Sequence, residues 1–158
     1  MNHVVFIALG SNLGDSRALL DSAVCELDEH EALRVVGRSS WHETDPVGGP
    51  ADQPRFLNGV VRCETELSPH ELLRLLHEIE DRAGRVRDVK DGPRTLDLDL
   101  LFYDNENLKD PDLILPHPRL EERLFVLEPL NEIAPGRVLE KSGRTVEERV
   151  RELRSAQA

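Results

Sequence analysis

The 158-residue sequence is short of several things, and each shortage excludes something. It has only two cysteines, Cys25 and Cys63, far apart and in no CxxC pair. That pattern argues against a disulfide and predicts two buried or partly buried free thiols in a reducing compartment. Long apolar runs are missing as well. Val4 to Leu9 is too short to cross a bilayer and lacks the basic start and cleavage pattern of a signal peptide, so a cytoplasmic protein without a membrane partner is expected. A basic surplus is also absent: 20 Lys and Arg against 31 Asp and Glu leave a formal net charge of −11. Nucleic acid and anionic lipid both reward a basic face, which makes either a poor match. Aromatic residues are few, with four Phe, one Trp and one Tyr.

What is present describes an ordinary globular protein, 39% apolar and 32% charged. The length suits one compact domain over residues 1–158, because a chain of this size buries about 70% of its unfolded surface. Arginine dominates the basic residues, only Lys90, Lys109 and Lys141 being lysine. Its planar fork suits two-point contacts with phosphate or carboxylate, so the place where arginines gather matters more than their sum.

The continuous apolar run Val4–Leu9 predicts a strand buried on both faces, stopping at the turn-rich stretch Gly10–Asp15. Leu20, Ala23, Val24 and Leu27 then follow helical spacing. Leu33–Trp41 predicts a second strand, Glu43–Arg55 a long loop and Phe56–Thr65 a third strand. The next helix has a complete start, with Ser68 as N-cap, Pro69 first in the helix and Glu71 closing a capping box. Leu96–Tyr103 predicts a further strand, Arg119–Ile133 a short helical stretch broken at Pro129, and Thr145 with Glu148 the start of a last helix. The order strand, helix, strand, strand, helix, strand predicts an α+β, ferredoxin-like sandwich. Its central sheet should be mainly antiparallel, with extra C-terminal helices.

The sharpest chemical feature is Arg94-Thr95-Leu96-Asp97-Leu98-Asp99-Leu100. Strand alternation sends the leucines to one face and both aspartates to the other, with their Cα atoms about 7 Å apart. Two such carboxylates can converge on a hard cation, and magnesium completes its shell with substrate phosphate and water. Aspartate is depleted in strands and the two like charges repel, which weakens the plainer reading of a solvated polar face. Arg85, Arg87, Lys90 and Arg94 lie in the loop that leads into this strand. Cations and metal would thus surround one polyphosphate, the arrangement phosphoryl transfer needs.

Four blocks occur in order: Gly10-Ser11-Asn12-Leu13-Gly14, Asp52-Gln53-Pro54-Arg55-Phe56-Leu57-Asn58, Gly92-Pro93-Arg94-Thr95-Leu96-Asp97-Leu98-Asp99 and Pro116-His117-Pro118-Arg119. Together they resemble the 6-hydroxymethyl-7,8-dihydropterin pyrophosphokinases of folate biosynthesis. The resemblance implies transfer of the pyrophosphoryl unit of ATP, the co-substrate, onto the hydroxymethyl oxygen of the pterin, with release of AMP. It implies Asp97 and Asp99 as ligands of two Mg²⁺ ions, and Arg85 and Arg94 as catalytic neutralisers of phosphate charge. Arg87, Arg94, Glu80, Leu100, His117 and Arg123 would line the ATP site. Thr44, Val47, Asn58 and Phe125 would form the pterin pocket, with Phe56 stacking on the other side. Some relatives carry a tryptophan in the loop before Gly-Pro-Arg. Here that loop is Arg85-Val86-Arg87-Asp88-Val89-Lys90-Asp91, which implies a looser lid. A monomer acting on two small molecules is expected. Two other readings stand beside this one: a two-metal phosphoesterase that activates water, and a non-catalytic nucleotide-binding domain on the same fold.

Overall fold

The structure, a computed structural model, describes residues 2–12, 15–44, 55–83 and 96–157. The elements are β1 (His3–Ser11), α1 (Ser16–Glu29), β2 (Leu33–Arg38), β3 (His42–Thr44), β4 (Phe56–Thr65), α2 (Pro69–Arg82) and β5 (Asp97–Tyr103). A small hairpin of β6 (Leu108–Lys109) and β7 (Ile114–Leu115) follows, then a 3-10 turn at Leu120–Glu122, α3 (Leu124–Ile133) and α4 (Val146–Gln157). The main sheet runs β2-β4-β1-β5, every pair antiparallel, with β3 added alongside β4. That is the split β-α-β order the sequence predicts for a ferredoxin-like sandwich.

Strand alternation divides the molecule into two layers. Val5, Ile7 and Leu9 of β1, with Val61 and Cys63 of β4 and Leu96, Leu98 and Leu100 beside or in β5, pack against α1 and α2. Phe6 and Ala8 of β1, Val60 of β4 and Leu101 and Phe102 of β5 pack on the opposite face with residues of α3 and α4. A register shift in β5 makes this possible: Ile7 pairs with Leu100 but Phe6 pairs with Phe102, so Leu101 is extra. The bulge resets the alternation, and Leu101 and Phe102 both reach the second face.

Several expectations hold and several need correcting. α2 has the full capping box: the Glu71 N–H donates to Ser68 Oγ at 3.2 Å, and the Ser68 N–H donates to Glu71 Oε1 at 2.9 Å. Such a cap contributes about 1 kcal/mol. The box at Thr145 and Glu148 is present too. The first strand does not stop before Gly10 but includes Gly10 and Ser11, because both still pair with β4. Asp15 occupies the N-cap position of α1 without a side-chain cap bond, and Asn12 is fully buried. The expected strand Leu33–Trp41 ends at Arg38, and a separate short strand starts at His42. The corner between them is set by Trp41, whose Nε1–H donates to Asp21 Oδ1 at 3.0 Å. A Cβ on Gly59 would fall 2.4 Å from this indole, so the ring lies flat on bare backbone. The helical stretch 119–133 breaks at Arg123, where the backbone is extended, and Pro129 sits inside α3. Proline there removes the donor that would meet the Phe125 carbonyl and crowds that carbonyl, yet the helix runs on to Ile133. Cys63 is buried, but Cys25 is exposed, against expectation. Burial pushes the Cys63 thiol up to about 12. Among the described residues, no helix is long and apolar enough to cross a membrane.

Candidate active site

The second face of the sheet is only partly covered by helices, and its polar residues gather where the cover stops. Directly opposed residues of antiparallel strands share a face. Asn58 on β4 pairs with Gly10 of β1 on one side and His42 of β3 on the other, and Gly10 pairs in turn with Asp97 of β5. One row therefore reads His42, Asn58, Gly10, Asp97. The adjoining row reads Val60, Ala8, Asp99, and the row beyond Asn58 pairs Thr44 with Phe56. Asn58 and Asp97 flank one intervening strand, so their Cα atoms lie about 10 Å apart.

Glycine at position 10 is a steric requirement of this row. A Cβ there would lie 2.7 Å from Asn58 Oδ1, and so would drive the amide out of place. Asn58 is 9% exposed and donates through Nδ2 to Thr44 Oγ1 at 3.4 Å. In sequence Gly10 belongs to a turn-rich stretch; its pairing partner across the sheet is what reveals the role, and no local signal in the chain points to it.

Asp97 and Asp99 are half-buried at one end of edge strand β5. The strand is held from behind by Glu80 of α2, 2% exposed, whose Oε2 accepts the Leu98 N–H at 2.8 Å. Glu80, expected at the nucleotide, is thus engaged with the peptide between the two aspartates. Leu100 points to the α1/α2 face and is 3% exposed, so only its backbone is available to a nucleotide. His117 reaches β5 through its N–H, which donates to the Leu101 carbonyl at 3.0 Å, and its Nδ1 accepts the Arg119 N–H at 3.2 Å. Burial lowers the His117 pKa, the negative charge of Asp99 opposes this, and Arg123, Arg119 and Lys141 add to the lowering. The net direction is down, which keeps the ring neutral over more of the pH range. Arg123 is half-buried, with its guanidinium carbon 5.8 Å from the centre of the Phe125 ring. Phe125 is 42% exposed, an unusual position for a Phe and one open to a flat ligand.

The face also carries a contact between residues distant in sequence. Glu132 of α3 accepts the Ser40 N–H and the Ser40 hydroxyl, both at 2.8 Å, and pairs with His42 Nε2. Partial burial pushes the Glu132 carboxyl up, but the bonds from Ser40 and His42 outweigh it and hold it below the usual glutamate range. This bracket pins β3, the strand that carries Thr44, to α3. Nothing in the local sequence marks residues 90 positions apart as partners.

Of the site residues read from sequence, Thr44, Phe56, Asn58, Asp97 and Asp99 share one face, with Phe125 on a helix that packs there and His117 on the loop bonded to β5. Val47, Arg85, Arg87 and Arg94, and the lid 85–91, lie outside the described residues, as do Leu13 and Gly14. Among the described residues no group of three or more His, Cys, Asp or Glu side chains is placed to hold a metal. The two aspartates offer hard oxygen donors in the number magnesium takes when phosphate and water supply the rest, so the donor set fits that ion.

A family model for 7,8-dihydro-6-hydroxymethylpterin-pyrophosphokinase matches residues 6–135. The 2-amino-4-hydroxy-6-hydroxymethyldihydropteridine pyrophosphokinase of Bacillus subtilis (strain 168) is 53% identical over 133 residues, covering 84% of this chain and 79% of the relative. The enzyme of the same name from Methylorubrum extorquens is 45% identical over 148 residues, covering 94% of this chain and 92% of the relative. A solved structure of Plasmodium falciparum HPPK-DHPS superposes on 98% of this chain with a TM-score of 0.77 at 15% identity. The chain spans only 46% of that longer protein, and at such identity the likeness concerns the fold.

Proposed function

Because the chain belongs to the 7,8-dihydro-6-hydroxymethylpterin-pyrophosphokinase family, we infer that it transfers the pyrophosphoryl group of ATP to the hydroxymethyl oxygen of 6-hydroxymethyl-7,8-dihydropterin. The products are the pterin diphosphate and AMP, and the reaction belongs to folate biosynthesis. In the step itself, the hydroxymethyl oxygen bonds to the β-phosphorus while the bond from that phosphorus to the α,β-bridging oxygen breaks. AMP leaves with the bridging oxygen and the hydroxyl gives up its proton.

The roles of single residues follow from that reading and the chemistry of each group. Asp97 and Asp99 would hold two Mg²⁺ ions, whose chemistry when bound would be neutralisation of phosphate charge and alignment of the reacting oxygens. Arg85 and Arg94 meet the charge that develops on the transferring group, and Arg87 meets the phosphate tail from the same loop. His117 and Arg123 contact the nucleotide, a neutral imidazole and a permanent cation side by side, while Glu80 steadies the strand between the aspartates and Leu100 offers backbone. Asn58 presents donor and acceptor on one amide to the lactam and amino edge of the pterin. Thr44 and Val47 line that pocket, and the ring stacks between Phe56 and Phe125, each aromatic pair contributing about 0.5–1.5 kcal/mol beyond area burial. The protein works as a cytoplasmic monomer.

One observation carries the reading: the cross-strand row in which Asn58 and Asp97 flank Gly10, so that an acceptor hydroxyl bound at β4 would lie beside phosphates bound at β5. The test is incubation of the protein with Mg²⁺, ATP and hydroxymethyl-dihydropterin. AMP is expected only when all are present. Pterin-independent hydrolysis would favour a phosphoesterase, and binding without turnover a non-catalytic domain.

A further inference from the structure

The family model ends at residue 135, yet the segment after it bonds directly to the loop that carries His117 and Arg123. The turn between Val138 and Thr145 is tightly formed: those two residues bridge, the Leu139 N–H donates to the Arg144 carbonyl at 2.7 Å, and Gly143 adopts a φ of 71°. At this turn two successive backbone N–H groups converge on one carboxylate, Lys141 N–H to Glu121 Oε2 at 2.8 Å and Ser142 N–H to Glu121 Oε1 at 3.0 Å. Lys141 Nζ donates to the Pro118 carbonyl at 2.6 Å, and Arg149 Nε, from α4, donates to the Glu121 carbonyl at 2.8 Å. Four hydrogen bonds therefore land on residues 118 and 121, between the two proposed nucleotide contacts. Bonds to an ionised carboxylate or from an ammonium are the stronger kind. Beneath them Leu120, Leu139 and Val146 are buried together, so the turn and the loop share an apolar base.

We propose that residues 137–149 form a brace that fixes the nucleotide loop, with Glu121 and Lys141 acting as positioning residues for His117 and Arg123. The proposal rests on the nucleotide role given to those two residues above. The brace grips the backbone of the loop and the Glu121 side chain, leaving the imidazole and the guanidinium to the ligand. Its loss therefore shifts the nucleotide contacts without removing any of them, and leaves Thr44, Phe56 and Asn58, the proposed pterin contacts on β3 and β4, in place.

The test uses the full chain with Lys141→Met and Glu121→Gln, and Lys141→Arg as the conservative variant that keeps a donor. Hydrogen exchange of the unliganded protein reads the loop, and steady-state AMP formation reads KM for each substrate. Loss of one such bond should raise KM for ATP about fivefold, with a smaller change in KM for the pterin, which only Phe125 links to this loop, and Lys141→Arg close to wild type. The amides of Leu120 and Arg123 should exchange faster in the Met and Gln variants. Unchanged exchange in both variants would overturn the brace. So would a loss of thermal stability with neither KM moved, or an equal rise in both KM values. Wild-type protein that makes no AMP would instead refute the activity, while the exchange data would still decide the brace.

Discussion

The two faces of the sheet are built from the same strands and serve opposite ends. On the α1/α2 face, alternate residues of four strands form one continuous apolar cluster sealed by two regular helices. On the other face the same alternation gives Phe6, Ala8 and then Gly10, and their partners on β5 change from Phe102 to Asp99 and Asp97. The helix cover is also less regular there, with a 3-10 turn, an extended residue at Arg123 and a proline inside α3. A closed layer supplies stability, and an interrupted layer leaves a floor on which substrates can lie. Stability and chemistry are thus separated by the parity of the residue number along one strand.

That separation can be broken deliberately. The largest effect is expected at the open face: Asp97→Ala or Asp99→Ala should cut turnover by roughly a thousandfold or more, with circular dichroism and thermal midpoint close to wild type. Normal activity in either variant would end the assignment of the metal ligands. On the closed face Leu76, fully buried, should behave the other way. Leu76→Ala should cost about 2–5 kcal/mol in chemical denaturation, while KM for both substrates stays put in the folded fraction.

Gly10→Ala probes the boundary between the two. Displacing the Asn58 amide should raise KM for the pterin about tenfold and leave KM for ATP alone; a rise in both would mean that the glycine serves the strand and not the amide. The smallest effect belongs to Glu132. Its carboxyl is depressed in the folded state, so its contribution is present above the usual glutamate range and is lost as pH falls through the lowered value. Glu132→Gln should therefore lower the thermal midpoint at neutral pH by an amount worth at most about 1 kcal/mol, given its solvent exposure. The gap to wild type should close on acidification, and a gap that persists at low pH would contradict the linkage.

How much of this was legible in the chain follows the same division. The closed face could be read almost residue by residue, because Leu20, Ala23, Val24 and Leu27, and likewise Leu72, Leu75, Leu76 and Ile79, announce their helices through spacing alone. The capping box of α2 and the facing of Asp97 and Asp99 were local facts as well. The open face depends on register, and register is a relation between strands that no single strand displays. Gly10 beside Asn58, His42 beside Glu132 and Glu121 beneath Lys141 could not be paired from sequence for that reason. The bulge at Leu101 escaped notice because a continuous apolar run hides which side each residue takes.

The flat seat of Trp41 on Gly59 has a practical consequence. It is the chain's sole indole, fixed at the corner from which β3 departs towards Thr44, with a carboxylate on its ring nitrogen and the Arg38 guanidinium carbon 5.4 Å from the ring centre. Ultraviolet emission from the whole protein therefore comes chiefly from one spot, at the corner before β3 on the α1/α2 face. Excited at wavelengths that tyrosine does not absorb, the protein reports on the packing of that corner with no dye attached.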